Sequence, residues 1–284
     1  MSRRGQIVRR PGQEHRQELV KLIKEAAYGH ATWEIWDDMI YFCSAALSQP
    51  AMYSQDREDE YLRRMGKYDK KTQDLFPLMF AKIILAYETE GCVDVLGSMY
   101  MELELSSHWK GQYFTPDHLC QAMAKMTFTD PTELIKENGY ITVNDPTCGA
   151  GALLIAFAKV CQEEGVNYQR DVLFVGMDID PVVARMCHIS MSLLGMPGYV
   201  LIGNTLLYEF HDVIYTPMYF LQGFTFREKM RETIDNVKAL TPVSEQAEDS
   251  APEILEVEEA PVQAIITADM SEYSVNKTGQ LTLF

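Results

Sequence analysis

A glycine-containing turn is the stretch of this chain best suited to hold a ligand. Residues 140–160 read YITVNDPTCGAGALLIAFAKV: a β-branched run, a turn-forming segment and an apolar run of strong helix formers. This order predicts a strand, a loop and a helix. The loop carries Asp145 at the strand end and Gly149-Ala150-Gly151 before the helix. A carboxylate close to helix amides and glycine backbone suits a ligand that carries both an ammonium and a carboxylate.

The same turn lacks the features of two common nucleotide-binding loops. Its G-x-G is not extended to the dinucleotide fingerprint G-x-G-x-x-G, and it has no Walker lysine. A nicotinamide dehydrogenase is therefore a distant alternative.

A second acidic position follows the apolar run DVLFVGMD at residues 171–178. Asp178 ends this run about 30 residues after the glycine turn, where a carboxylate that binds ribose hydroxyls is expected in a nucleoside site. Asp180 is the competing candidate. Because Asp180-Pro181 has the pattern of a helix cap followed by a first-turn proline, we assign Asp180 to the cap and Asp178 to the ligand.

A third candidate lies before the turn, in KGQYFTPDHLCQAMAKM at residues 110–126. Thr115 is predicted to cap a helix whose first residue is Pro116, with Asp117 in the favourable first turn. Taken alone, this pattern favours an ordinary capped helix over a binding site. It points to a binding site only in combination with the glycine turn.

An α/β fold is predicted to position these residues. Continuous apolar runs indicate buried parallel strands, and their alternation with helices indicates a right-handed α/β sheet. Four strands are expected, at residues 140–143, 171–178, 199–202 and 212–215. The preceding sequence has helical periodicity instead, in segments 15–28, 32–47, 56–68, 71–87 and 93–105.

Composition is that of a globular protein with a sizeable core. The chain has 284 residues, of which 47% are hydrophobic. It contains no apolar run of the roughly 20 residues that a membrane span needs, so a cytoplasmic location is expected. The six cysteines lack C-x-x-C spacing, which favours buried thiols over a zinc site or a disulfide framework.

Acidic residues outnumber basic ones by 41 to 25, and the excess is uneven. Residues 239–276 contain nine acids and no base, which leaves 32 acids and 24 bases in residues 1–238. We therefore divide the chain into a flexible arm (1–13), a helical domain (14–109), a ligand-binding domain (110–240), an acidic disordered linker (241–279) and a terminal peptide (280–284). Any contact with DNA would need a local basic patch or a partner.

Four segments in order resemble the adenine-specific DNA methyltransferases allied to the M subunits of type I restriction-modification systems. GQYFTP at 111–116 is similar to the family's GxFYTP, and DPTCGAGALL at 145–154 to DPxCGSGxxL. GMDIDP at 176–181 is similar to its acidic second-strand motif, and GNTL at 203–206 to GDTL. The resemblance implies a Rossmann-like, S-adenosylmethionine-dependent methyltransferase core, preceded by a helical domain.

The resemblance also implies which residues bind the cofactor. Thr115 and the helix behind it would hold the methionine carboxylate, Asp145 the ammonium, and Asp178 the ribose hydroxyls. Ile179 would pack on the adenine ring, and Asn204, where the family has Asp, would accept a hydrogen bond from the adenine amine. The matched motifs add four further cofactor-binding positions: Phe114, Cys148, Gly149 and Gly151.

The family's catalytic motif, N-P-P-Y or N-P-P-F after the fourth strand, corresponds here to residues 216–219, TPMY. The resemblance implies that Thr216 and Pro217 accept hydrogen bonds from the target amine and that Tyr219 stacks on the flipped base. Met218 replaces the second proline, which would loosen the turn.

The sheet is expected to be truncated after its fourth strand, although residues 262–267 (VQAIIT) could add a fifth. Family members continue with three more strands and usually a target-recognition region. We therefore expect DNA to be bound together with a partner subunit.

The terminal residues Gln280, Leu281, Thr282, Leu283 and Phe284 resemble the bacterial sliding-clamp-binding peptide QL(S/D)LF. A flexible tether that presents leucine and phenylalanine suits a hydrophobic groove, with Gln280, Leu281, Leu283 and Phe284 as the contacts. The alternative is that residues 281–284 fold back as a short strand.

Two hypotheses follow. The chain is an active DNA adenine methyltransferase, or it is a methyltransferase-like adaptor or decoy that has lost catalysis and acts through partners such as the sliding clamp.

Overall fold

Six helices occupy residues 12–103 and lie where the helical region is predicted. They are α1 (Gln13–Ala26), α2 (Thr32–Ser48), α3 (Gln55–Met65), α4 (Lys70–Gln73), α5 (Leu75–Glu90) and α6 (Val95–Glu102). The segment 71–87 forms two helices because Pro77 has no N–H to donate to Gln73 in a continuous helix. Starting α5 at Leu75 places Pro77 in a first turn, where no such bond is needed.

The computed structural model describes residues 12–103, 115–240, 274–275 and 281–282. The predicted arm up to residue 11 and most of the predicted linker lie outside these residues, as do the possible fifth strand at 262–267 and the residues Phe114, Gln280, Leu283 and Phe284. None of the described helices is both long and apolar enough to cross a lipid bilayer.

Four strands form the main sheet of the described residues, in the order β1-β2-β3-β4. They are β1 (Ile141–Asp145), β2 (Val172–Asp178), β3 (Gly198–Asn204) and β4 (Glu209–Tyr215). The first three are parallel. Helices α7 (Asp117–Thr127) and α8 (Thr132–Asn138) precede the sheet, α9 (Ala152–Glu163), α10 (Tyr168–Asp171) and α11 (Pro181–Leu193) connect its parallel strands, and α12 (Pro217–Leu221) and α13 (Phe224–Leu240) follow it.

β4 runs antiparallel to β3, so the prediction of an all-parallel sheet is wrong for the last strand. The two strands are joined by the four-residue turn 205–208. A parallel crossover needs a dozen or more residues, and the nine residues between the predicted strand segments were already too few. The β3–β4 unit is therefore a hairpin.

The N-terminal helices pack on the sheet through α11 and share one core with it. His188 of α11 is fully buried, and its Nδ1 lies 3.0 Å from the hydroxyl of Ser44 on α2. Its Nε2 lies 3.1 Å from the carbonyl oxygen of Tyr215. Burial lowers the pKa of His188 to about 4, so the ring is neutral at physiological pH and links α2 to β4 without a buried charge.

The opposite face of the sheet carries a second cluster, which is rich in aromatic residues. Side chains alternate along β2, so Leu173, Val175 and Met177 point to this face while Val172 and Phe174 point to the main core. Helices α12 and α13 supply the buried covering side chains Tyr219 and Phe224.

At the C-terminus, β5 (Ser274–Val275) pairs antiparallel with β6 (Leu281–Thr282). Leu281, a predicted clamp contact, thus lies in a two-residue strand, as in the fold-back alternative.

Candidate functional site

The glycine turn between β1 and α9 adopts the backbone that its sequence predicts. Gly149 and Gly151 have φ angles of 52° and 91°, in the left-handed region that favours glycine. A Cβ atom on Gly151 would lie 2.9 Å from Sγ of Cys187 on α11. Gly151 is therefore required for helix packing as well as for the turn.

Asp178 fixes the turn from the end of β2. Its Oδ2 accepts a hydrogen bond from the Gly149 N–H at 2.9 Å, and its Oδ1 accepts one from the Asp180 N–H at 2.9 Å. A carboxylate has about four acceptor positions, so both oxygens keep capacity for ligand hydroxyls. Burial raises the pKa of Asp178 above its ordinary value. As predicted, Asp180 caps α11, by accepting from the Val182 N–H at 2.9 Å.

Asp145 is the second carboxylate at the carboxyl edge of the sheet, and it is buried whereas Asp178 is half-buried. It is paired in register with Gly176, two residues before Asp178, so the two acids end neighbouring parallel strands. Its Oδ1 accepts from the Thr147 N–H at 3.1 Å. Burial raises the pKa of Asp145, and the charge of Asp178 raises it further. Within the described residues neither carboxylate forms an ion pair, so a cationic ligand would relieve their repulsion.

Thr115 lies near the glycine turn but does not cap α7, contrary to the sequence prediction. The helix begins at Asp117, and its N-cap is Pro116, which has no side-chain donor or acceptor. Thr115 and Ala152, the first residue of α9, line one wall of a cavity of about 720 Å³. Residues of α1, α5 and α6 form the other wall, whereas Asp145 and Asp178 are not part of the lining.

Two other predicted cofactor residues differ sharply in accessibility. Cys148 is buried, and its Sγ lies with that of Cys187 above Gly176, where an added Cβ would meet the two sulfurs at 3.0 and 3.3 Å. Its side chain therefore belongs to the core behind the turn. Ile179, which follows Asp178, is 66% exposed and free to pack against a planar ring.

Asn204 is occupied by its own turn. Its Oδ1 accepts hydrogen bonds from the backbone N–H groups of Leu206 at 3.0 Å and Leu207 at 3.2 Å. A carbonyl-type oxygen has two lone pairs, so this amide oxygen has no remaining position for the predicted adenine amine.

Thr205 was missed by the sequence reasoning. Its hydroxyl donates to the carbonyl oxygen of Pro146 at 2.8 Å and joins the β3–β4 hairpin to the glycine turn. The segment GNTL, which contains both Asn204 and Thr205, was the signal that could have identified it, but only Asn204 was assigned a role.

The predicted catalytic residues lie at the other end of the sheet. Thr216 is fully buried; its hydroxyl accepts from the Gly198 N–H at 3.0 Å and donates to the Met196 carbonyl at 2.9 Å. Gly198 precedes Ile202, the register partner of Asp178, by four residues, or about 13 Å along β3.

Pro217 begins α12, and Tyr219 is buried with its hydroxyl donating to Glu228 Oε2 at 2.5 Å. The structure therefore places Thr216, Pro217 and Tyr219 at the opposite end of the sheet from Asp145 and Asp178. Because β4 is antiparallel, its carboxyl end lies at the amino ends of the parallel strands.

Two solved structures show partial similarity to this chain. One is described as a class I S-adenosylmethionine-dependent methyltransferase from Listeria monocytogenes, with 16% identity and a TM-score of 0.40 over 70% of this chain and 56% of that one. The other is a type I restriction-modification system methyltransferase subunit from Streptococcus thermophilus, with 17% identity and a TM-score of 0.35 over 66% of this chain and 39% of that one. This chain thus spans about half or less of each relative.

A family comparison covers more than half of the chain. Residues 93–264 match the N-6 DNA methylase family, a range that includes the glycine turn, both carboxylates and the β3–β4 hairpin. The four motifs and the sheet with its acidic carboxyl edge agree with that match, and the fold is a Rossmann-like methyltransferase core with an N-terminal helical region. The chain belongs to the N-6 DNA methylase family.

Proposed function

We propose that this protein binds S-adenosylmethionine at the carboxyl edge of β1 and β2 and methylates the exocyclic amine of adenine in DNA. The observation that carries the proposal is the pair of carboxylates beside the glycine turn, of which Asp145 is buried and Asp178 half-buried. When bound, the cofactor supplies an electrophilic methyl group, and its ammonium and ribose hydroxyls match these two acids.

Each residue of this site has a separate role. Asp145 holds the ammonium, while Asp178 accepts the ribose hydroxyls and keeps the turn closed through Gly149. Ile179 covers the adenine ring of the cofactor. Thr115, which lines a cavity together with the first residue of α9, would contact the methionine carboxylate, since the N–H groups at a helix start favour an anion.

DNA is the proposed substrate because of family membership, and a partner subunit is proposed because the chain is acidic. A net charge of −16 disfavours binding to phosphates over the surface as a whole. A partner in the cytoplasm would supply the basic contacts and the wall around the target base.

A second candidate function is a methyltransferase-like adaptor without turnover. The observation that favours it is the position of Thr216, Pro217 and Tyr219 away from the cofactor edge, together with the occupied oxygen of Asn204. In this function the protein keeps the cofactor fold and acts through partners. The sliding clamp is one such partner, supported by the sequence of residues 280–284 alone.

Labelled cofactor distinguishes the two functions. The protein is incubated with methyl-labelled S-adenosylmethionine and mixed-sequence DNA, with and without cell extract, beside Asp145→Ala and the control Asp56→Ala, which removes an exposed aspartate from α3. The methyltransferase proposal expects label in DNA that is lost only in Asp145→Ala. Cofactor binding that is lost in Asp145→Ala, without label in DNA under either condition, supports the adaptor. Equal cofactor binding by all three proteins contradicts the proposed site.

A further inference from the structure

The tip of the β3–β4 hairpin, residues 205–208, exposes three large apolar side chains in a row. Leu206 is 96% exposed, Leu207 64% and Tyr208 76%. Tight turns are usually formed by glycine, asparagine, aspartate and other small polar residues, because these meet the backbone requirements without exposing apolar surface. The hairpin tip therefore presents apolar surface that the fold itself does not bury.

The hairpin tip is also held in one conformation. Asn204 Oδ1 accepts from the N–H groups of Leu206 and Leu207, and the Tyr208 N–H donates to the Thr205 carbonyl at 3.3 Å. Tyr208 has a φ of 58° and is the only described residue other than glycine with a positive φ. A tyrosine at a position that favours glycine or asparagine is a local strain of the kind found at binding sites.

The position of the hairpin tip connects it to the proposed cofactor site. The hydroxyl of Thr205 donates to the carbonyl oxygen of Pro146 in the glycine turn, next to Asp145. The tip thus stands at the carboxyl edge of the sheet, at the same end as Asp178 and Ile179. Residues 205–208 carry no charged side chain, so contact with a nucleic acid through this tip would use stacking and not phosphate attraction.

Resting on the proposed function, we propose that the hairpin tip binds unstacked bases of the DNA substrate, with Tyr208 stacked on the adenine that faces the cofactor. An aromatic ring stacks on any unpaired base, and enzymes that modify a base take it out of the duplex. Tyr219 cannot fill this role because it is buried and bound to Glu228. Leu206 and Leu207 contact the neighbouring bases, as apolar wedges do at unstacked steps.

The test measures binding of a fluorescein-labelled single-stranded dA12 oligonucleotide to the full chain, by anisotropy with saturating S-adenosylmethionine. The ionic strength is high enough to screen the repulsion between the acidic chain and the oligonucleotide. The variants are Tyr208→Ala and Tyr208→Phe, with Tyr28→Ala as the control because Tyr28 is a 93% exposed tyrosine outside the site. Removing one stacked ring is expected to weaken binding about 5- to 150-fold in Tyr208→Ala. Tyr208→Phe and Tyr28→Ala should bind like the unchanged protein.

Cofactor binding, measured by calorimetry in every variant, separates this inference from the proposed function. Retained cofactor affinity in Tyr208→Ala with weakened oligonucleotide binding supports the inference. The inference is overturned if the unchanged protein does not bind dA12, or if Tyr208→Ala binds it within twofold of the unchanged protein. In either case, cofactor binding that depends on Asp145 leaves the proposed function standing. Failure of the unchanged protein to bind the cofactor overturns both.

Discussion

At the residue scale, the proposed cofactor site depends on the surroundings of two carboxylates, Asp145 and Asp178. The Asp145 carboxylate is buried and that of Asp178 is half-buried, at the ends of two neighbouring strands. The charged form of both is therefore disfavoured, and their pKa values rise. A ligand ammonium that restores the charged form gains affinity from the same burial.

The affinity for S-adenosylmethionine should consequently depend on pH through Asp145. A raised pKa means that Asp145 takes up a proton at a higher pH than an ordinary aspartate, so affinity should fall as the pH drops through that raised value. In Asp145→Asn the affinity should be lower at neutral pH by about 10- to 150-fold, the loss expected for one hydrogen bond to a charged group. It should also depend less on pH than in the unchanged protein, with Asp178 responsible for the dependence that remains. Calorimetric titration from neutral to mildly acidic pH measures both effects. An Asn variant with the pH profile of the unchanged protein would remove Asp145 from the site.

Asp94 gives a residue-scale prediction for stability. It caps α6 by accepting from the Gly97 N–H at 2.7 Å, and burial raises its pKa to about 6. Because the folded-state pKa is raised, its stabilising contribution is complete below the unfolded pKa and is lost as the pH rises through about 6. Asp94→Asn keeps the cap without the charge and should raise the free energy of unfolding at neutral pH by about 1–2 kcal/mol, with little change under acidic conditions.

Denaturant titrations at neutral and acidic pH measure this difference, and Asp69 provides a control of opposite sign. Asp69 caps α4, and its hydrogen bonds from the backbone and side chain of Thr72 lower its pKa. Asp69→Asn should therefore lower stability at neutral pH. Asp94→Asn and Asp69→Asn changing stability in the same direction would contradict the electrostatic explanation.

At the scale of elements, the sequence predicted where the strands lie along the chain better than it predicted their directions in the sheet. The four apolar runs became four strands, and Asp145 and Asp178 lie together because the carboxyl ends of parallel strands meet at one edge. The direction of β4 could not be inferred from its apolar residues, since both directions bury the same side chains. Only the short spacing between the third and fourth runs carried that information. The antiparallel direction of β4 places Thr216 and Tyr219 at the opposite end of the sheet from Asp178.

The contacts of Cys148 and Asn204 could not be predicted from the sequence, because they depend on the packing of the folded chain. A cysteine beside two glycines resembles a ligand contact, yet the side chain of Cys148 packs against Cys187 because Gly176 leaves room for both sulfurs. The hydrogen bonds that engage Asn204 with its own turn depend on the hairpin and could not be seen before β3 and β4 were paired.

The structure assigns Thr216 to hairpin stability, which predicts the effect of removing its hydroxyl. Thr216→Val keeps the side-chain shape but leaves the buried Gly198 N–H and Met196 carbonyl without this partner. The free energy of unfolding should fall by about 1–3 kcal/mol, while affinity for S-adenosylmethionine stays unchanged. Urea unfolding and calorimetry measure the two quantities. Thr216→Ser, which retains the hydroxyl, should lose less stability; a variant that loses methyl transfer without losing stability would restore the catalytic interpretation.

At the scale of the whole molecule, net charge affects the proposed cofactor site and the proposed DNA substrate differently. The proposed cofactor site uses local groups around the glycine turn, whereas a net charge of −16 disfavours contact between the chain and a polyanion. Partners are therefore expected to determine where the protein acts, and the C-terminal residues are the segment whose sequence offers one.

The two interpretations of the terminal peptide predict different results in one capture experiment. If residues 280–284 bind a sliding clamp, Leu283→Ala with Phe284→Ala should abolish capture of the purified bacterial clamp, because the apolar groups that fill its groove are gone. If the segment instead folds back through the pairing of Leu281 with Val275, the clamp should not be captured by either protein. Lys277→Ala, outside the motif, is the matched control and should leave capture unchanged. Cofactor affinity should be the same in all of these proteins, since none of the substituted residues belongs to the proposed cofactor site. Equal capture by the double variant and the unchanged chain would contradict the clamp interpretation.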